Sequence, residues 1–151
     1  MAVKVLKKKL QSSRFGRVDE AFVSELGRLL GKTNVITCEQ DLEPYGHDET
    51  EDFPYYPEVA VKPGSCEEIS LLLKLCSEKN IPVTPRGGGT GLSGGALPVY
   101  GGVVLSFERM NRILEIDGDN LMAVVEPGVI TQTFQEEVEK VGLFYPPDPA
   151  S

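Results

Sequence analysis

The chain has 151 residues, 40% hydrophobic and 25% charged, which is enough for one packed domain with a core. Its net charge of −8 excludes a nucleic-acid backbone as the natural partner, because that partner demands a basic face. No apolar run approaches the roughly 20 residues that span a bilayer.

Residues 1–17 carry six basic and no acidic side chains, without the apolar stretch of a secretory signal. Residues 1–40 therefore read as an N-terminal helical arm. Within it, Asp19 is placed to cap a helix to Leu30, with Phe22, Leu26 and Leu29 on one face and Gly31 as its stop. A short strand is expected over residues 34–36. Thr37-Cys38-Glu39-Gln40 has the capping-box pattern and predicts a short helix before Pro44. Between Lys32 and Lys62 there is no lysine or arginine but there are eight acidic residues, the signature of a solvated face. Their spacing matches no calcium loop, and no metal site is expected.

Residues 58–63 predict a strand. Ser65-Cys66-Glu67-Glu68 is a second capping box, opening a helix with Ile69, Leu72, Leu73 and Cys76 at core spacing. A short strand over residues 82–85 follows, and this strand–helix–strand stretch predicts a parallel βαβ unit. Cys38, Cys66 and Cys76 are three cysteines with no C-x-x-C, which argues against disulfides and metal clusters and for a reducing, cytoplasmic setting. Cys66 and Cys76 are expected to be small buried or half-buried residues. His47, the single histidine, reads as a surface loop residue.

The densest signal is Pro85-Arg86-Gly87-Gly88-Gly89-Thr90-Gly91-Leu92-Ser93-Gly94-Gly95, with six glycines in eleven residues. Glycine at this density is costly unless the backbone must take positive φ or be approached closely. Successive amides of such a loop can converge on an anion, and its place at a strand's carboxyl end fits that role. A phosphate or pyrophosphate is expected, with Arg86 as a cationic neighbour, Thr90 and Ser93 as hydroxyl donors, and Gly88 as a site of positive φ and close approach. A flexible surface loop is the alternative. The run contains G-x-G-x-x-G, but no helix fits between it and Pro98, so a Rossmann unit is excluded. A P-loop is excluded by the lack of Gly-Lys-Ser/Thr.

After Pro98, residues 102–107, 113–116 and 121–126 predict three strands, the last two joined by the turn Asp117-Gly118-Asp119-Asn120. An antiparallel second subdomain is thus expected to begin near Gly101. Thr131 is placed to cap a helix to Val141, with Phe134, Val138 and Val141 inward and Gly142 beyond its end. Three prolines mark the last seven residues.

The glycine run, Met110-Asn111-Arg112-Ile113, Val125-Glu126-Pro127-Gly128-Val129 and Pro146-Pro147-Asp148-Pro149 together resemble the FAD-linked oxidases with a PCMH-type (vanillyl-alcohol-oxidase-like) flavin domain. The nearest likeness is to the glycolate oxidase FAD subunit and the D-lactate dehydrogenases, over residues 41–151. The resemblance implies an α+β fold with a first FAD subdomain over residues 41–100 and the start of a second over residues 101–151. It implies pyrophosphate binding by Arg86, Gly87, Gly88, Gly89 and Thr90, with Gly91, Ser93 and Gly94 close by. Pro146, Asp148 and Ser151 are implied near the flavin, or else a rigid loop packed on the sheet; Pro127 and Gly128 are read as structural. Thr90 stands where covalent members carry histidine, so non-covalent FAD is implied.

The activity implied is oxidation of a small 2-hydroxy acid such as glycolate or D-lactate, by hydride transfer to FAD. A partner subunit carrying an iron–sulfur cluster or a second flavin also belongs to this reading. The family's domain continues past a segment like residues 146–151. The chain is therefore expected to be the N-terminal part of a longer enzyme, weak or silent toward FAD alone, with catalytic residues that cannot be named. Alternatives are another branch, such as an alkyl-dihydroxyacetone-phosphate synthase-like transferase or a UDP-N-acetylenolpyruvoylglucosamine reductase, or a non-catalytic binding or assembly module.

Overall fold

The computed structural model describes residues 14–50 and 54–147. Its first sheet has strands β1 (Val35–Ile36), β2 (Val59–Val61), β3 (Val83–Arg86) and β4 (Val103–Ser106), in the order β1-β2-β4-β3. Strand β4 is parallel to both β2 and β3, whereas β1 is antiparallel to β2. The crossover from β2 to β3 thus skips one place, and β4 fills it.

This corrects the expected position of the strand after Gly101. It closes the first sheet instead of opening the antiparallel one. The physical reason lies in its composition: all four residues of β4 are buried. The apolar run Val103-Val104-Leu105 suits a strand covered on both faces, whereas a half-solvated hairpin strand alternates.

Both faces of this sheet are indeed covered. On one side Val59, Val61, Val103 and Leu105 meet Phe22, Leu26 and Leu30 of helix α1 (Glu20–Leu30). Leu72 and Cys76 of helix α3 (Cys66–Glu78) join them. On the other side Ala60 and Val104 pack on Leu42 and Tyr45, from helix α2 (Glu39–Leu42) and the 3-10 turn Glu43–Gly46. From the stretch expected as an arm, Phe22, Leu26 and Leu30 are buried in this unit's core; the basic residues before position 14 lie outside the described residues.

The caps follow the sequence in part. Asp19 Oδ1 accepts from the Phe22 amide at 2.7 Å, starting α1. Ser65 Oγ accepts from the Glu68 amide at 3.2 Å, and Glu68 reaches back to the Gly64 amide at 2.7 Å. The box predicted at Thr37 does not form, because Cys38 occupies the cap position and makes no side-chain cap bond. In α3, Leu72 is fully buried but Leu73 is 45% exposed, and Cys66, at the helix start, is exposed. Cys76 is buried, and burial pushes its thiol up to about 11, an inert state.

The second unit holds the hairpin of β5 (Ile113–Asp117) and β6 (Met122–Val125), antiparallel with an irregularity between Ile113 and Glu115, and helix α4 (Thr131–Glu139). The α+β class, a parallel-strand unit followed by an antiparallel one, is thus observed. Asp117 shapes the turn by accepting from the Asp119 and Asn120 amides at 3.1 and 3.0 Å. Thr131 is the first helical residue, not the cap, which is Ile130 without a side-chain bond. Val138 is buried, whereas Val141 is 56% exposed.

Residues 107–112 tie the units together. The Gly128 amide donates to the Met110 carbonyl at 2.8 Å, and Arg112 Nη2 donates to Glu126 Oε1 at 2.6 Å. A Cβ at Gly128 would run into the carbonyl oxygens of Phe107 and Met110, so only glycine permits this approach.

Candidate functional site

Strands β2, β3 and β4 run the same way, so Lys62, Arg86 and Glu108 gather at one edge of the sheet. That edge faces Asn111, Gly128 and Ile130 across a cleft of about 750 Å3, into which Arg86, Gly87 and Gly88 also open. Ligands of parallel sheets collect at this end of the strands, where no side chain of the sheet blocks them.

The cleft floor is a charged network. Lys62 Nζ lies 2.6 Å from Glu108 Oε2, Tyr45 Oη donates to Glu108 Oε1 at 2.6 Å, and Ser106 Oγ donates to the same oxygen at 2.9 Å. Burial acts to raise the Glu108 carboxyl, but the hydrogen bonds from Lys62, Tyr45 and Ser106 overcome it and hold the group low. The Glu108 hydrogen bond raises the Lys62 ammonium against burial. Burial, reinforced by Glu108, raises the Tyr45 phenol.

The glycine loop leaves the end of β3, one residue later than expected, so Arg86 is the last strand residue. In the loop the left-handed φ falls on Gly89 (76°) and Gly94 (71°), which corrects the expectation for Gly88. Gly88 is nonetheless open: a Cβ there would find its nearest neighbour, Ile130 Cδ1, only at 3.9 Å. Among the described residues, no protein group accepts a hydrogen bond from the amides of Gly87, Gly88, Gly89 or Thr90. Gly87 and Gly88 open into the cleft, the left-handed Gly89 and Thr90 follow them, and such a run of unpaired amides fits the diphosphate of a dinucleotide.

The other predicted residues are placed differently. Arg86 Nη1 donates to the His47 carbonyl at 2.6 Å, so part of the guanidinium is already engaged by protein. The Gly94 amide donates to Thr50 Oγ1 at 2.9 Å and is not free for an anion. Thr90, Gly91 and Ser93 are exposed and do not line the cleft. Pro146 is exposed beside α4, where Gln135 Nε2 donates to the Pro147 carbonyl at 3.0 Å, and it too is outside the cleft lining. Asp148 and Ser151 lie outside the described residues. Sequence reasoning missed Tyr45, Lys62, Glu108 and Asn111. Lys62 directly follows β2 and Glu108 comes two residues after β4, so assigning β4 to the parallel sheet would have found both.

The parallel sheet, its glycine loop and the cleft define a nucleotide-binding domain of the α+β kind. A family model described as "FAD binding domain" matches residues 57–151, and the chain belongs to this family, whose cofactor is FAD. The chain is 50% identical over 107 residues to the glycolate oxidase subunit GlcD of Bacillus subtilis, covering 71% of the chain and 23% of that protein. It is 37% identical over 137 residues to a D-lactate dehydrogenase of Anaerostipes hadrus, covering 90% of the chain and 29% of that protein. Among solved structures, p-cresol methylhydroxylase with substrate bound superposes with a TM-score of 0.72 at 30% identity, over 80% of this chain and 24% of that one. The chain thus spans about a quarter of the length of the curated relatives it matches.

Proposed function

We propose that the full-length protein is an FAD-linked oxidoreductase of small 2-hydroxy acids of the glycolate or D-lactate type, and that this chain holds the cofactor's diphosphate. The observation that carries the reading is that Gly87 and Gly88 open into the cleft and that, among the described residues, the amides of Gly87 to Thr90 have no protein acceptor. Identity to a glycolate oxidase subunit and a D-lactate dehydrogenase supports the substrate class.

In this reading the amides of Gly87, Gly88, Gly89 and Thr90 donate to phosphate oxygens, and the open side of Gly88 lets the ligand backbone come close. Gly91, Ser93 and Gly94 carry the loop back without taking the anion's charge. Gly128 and Ile130 form the far wall and exclude water. Lys62 and Glu108 neutralise one another, so the cleft adds little net charge of its own. FAD, when bound, supplies the acceptor for the hydride leaving the substrate's α-carbon. Thr90, at the position where covalently flavinylated relatives of the resemblance carry histidine, supports a non-covalent cofactor. Pro146, Asp148 and Ser151 are proposed to lie near the flavin. A division of the chain into two FAD-binding subdomains near residues 107–110 accords with the sheet pairing. The name "subunit" carried by the Bacillus relative supports a partner subunit, proposed to carry an iron–sulfur cluster or a second flavin, and the free cysteines support a cytoplasmic setting.

The test is direct. Full-length protein is purified, scored for bound FAD, and mixed anaerobically with glycolate or D-lactate. Bleaching of the flavin absorbance near its visible maximum is the expected result. A protein that takes up no added FAD would sink the reading; a flavoprotein that neither acid bleaches would confine it to cofactor binding.

A further inference from the structure

We propose that residues 47–50 form a clamp that presets the glycine loop for its anion, with Thr50 and Arg86 as positioning residues that act through the loop. The inference rests on the reading of that loop as the diphosphate site.

Three bonds from this one short segment reach three points of the loop. The His47 carbonyl accepts from Arg86 Nη1 at 2.6 Å. The Glu49 amide donates to the Gly91 carbonyl at 3.1 Å. Thr50 Oγ1 accepts from the Gly94 amide at 2.9 Å. The segment is itself braced, since the Thr50 amide donates to Asp48 Oδ1 at 3.0 Å. Arg86 lies 6.0 Å over the Tyr45 ring, and its guanidinium fills the space that a Cβ at Gly89 would need. A side chain three residues earlier thus bars any residue but glycine from position 89.

The distribution of these bonds is the informative part. The clamp consumes the carbonyl of Gly91 and the amide of Gly94, at the loop's far side, and leaves the amides of Gly87 to Thr90 without a partner among the described residues. A glycine-rich loop without such ties would lose much backbone entropy on meeting its ligand; ordering it beforehand removes that cost from binding. In this view Arg86 contributes by shape more than by charge.

Two variant series test this in the full-length protein. Thr50→Val keeps the side-chain shape but leaves the Gly94 amide unpaired, whereas Thr50→Ser keeps the acceptor. FAD affinity is read by flavin fluorescence, melting temperature by calorimetry, and exchange of the Gly94 amide by NMR without cofactor. Thr50→Val is expected to weaken FAD binding about tenfold and speed Gly94 exchange by a similar factor, with Tm little changed and Thr50→Ser close to wild type. Arg86→Lys keeps the charge but loses the planar fork between His47 and Gly89, and is expected to bind FAD nearly as poorly as Arg86→Ala. Wild-type affinity in Thr50→Val or in Arg86→Lys would overturn the clamp while leaving the FAD reading intact. A wild-type protein that binds no FAD would overturn the functional reading. Even then an unprotected Gly94 amide in the wild type would refute the clamp independently.

Discussion

At the residue scale the glycines of the loop are not equivalent. Gly89 needs its left-handed φ of 76° and borders the Arg86 guanidinium, whereas Gly88 has neither constraint in the protein itself. Gly89→Ala should therefore cost about 1–2 kcal/mol of backbone strain and lower the melting temperature, while Gly88→Ala should leave it unchanged. Calorimetry on the two variants checks the order. Glu108 makes a second residue-scale prediction. Its carboxyl is held low, so its contribution is present above the unfolded carboxyl range near pH ~4.3 and is lost as pH falls through the folded value. Lys62 and Tyr45 are both raised, so their contributions are present below about pH 10 and fade as pH rises through their folded values. Since Lys62 and Glu108 are 26% and 47% exposed, the pair is worth about 1 kcal/mol or less. Glu108→Gln should flatten the acid limb of a stability–pH curve measured by urea unfolding; an unchanged limb would show that the network is not coupled to folding.

At the element scale α3 is the brace of the first unit. Its start is set by Ser65 and Glu68, and its buried face by Leu72 and Cys76. Ser65→Ala should cost about 1 kcal/mol, the usual loss of an N-cap. Leu72→Ala should cost ~2–5 kcal/mol, because the side chain is fully buried among α1, β2 and β4 and the cavity cannot collapse easily. Urea titration of both variants measures the two terms, and a Ser65→Ala loss as large as that of Leu72→Ala would contradict the assignment. Strand β4 shows why elements must be read with their neighbours. Its residues Val103, Val104 and Leu105 look alike in sequence, yet they divide between two apolar clusters on opposite faces of one sheet.

At the scale of the whole molecule the two units are built differently. Among the described residues, the first has a four-stranded sheet covered on both faces, while the second has a two-stranded hairpin with one helix. An isolated hairpin is marginal in water, and here Leu121, Met122 and Val124 of the hairpin and Phe144 beyond α4 are all more than half exposed. Amides of β2 and β4 should thus exchange only by global unfolding of the 151-residue chain, and those of β5 and β6 by local opening at lower cost. Hydrogen exchange followed residue by residue checks this; equal protection in the two sheets would mean that the units unfold as one.

Much of this protein was legible without coordinates because the decisive signals are local. Asp19 and Ser65 cap their helices through side chains that reach only three residues along the chain. Asp117 folds its own turn, and the glycine run declares a backbone that must be approached or bent wherever it lies. The resemblance carried by the loop and by residues 110–129 supplied the family and its cofactor. Tertiary structure decided what depends on distant partners. Val103, Val104 and Leu105 form the apolar run of a strand covered on both faces, but the place of β4 between β2 and β3 depends on partners elsewhere in the chain. Lys62, Tyr45 and Glu108 meet only because three separate segments end at the same edge. Arg86, expected as a cationic neighbour of an anion, and Gly94, expected close to it, bond to His47 and Thr50, which lie 39 and 44 positions away in the chain.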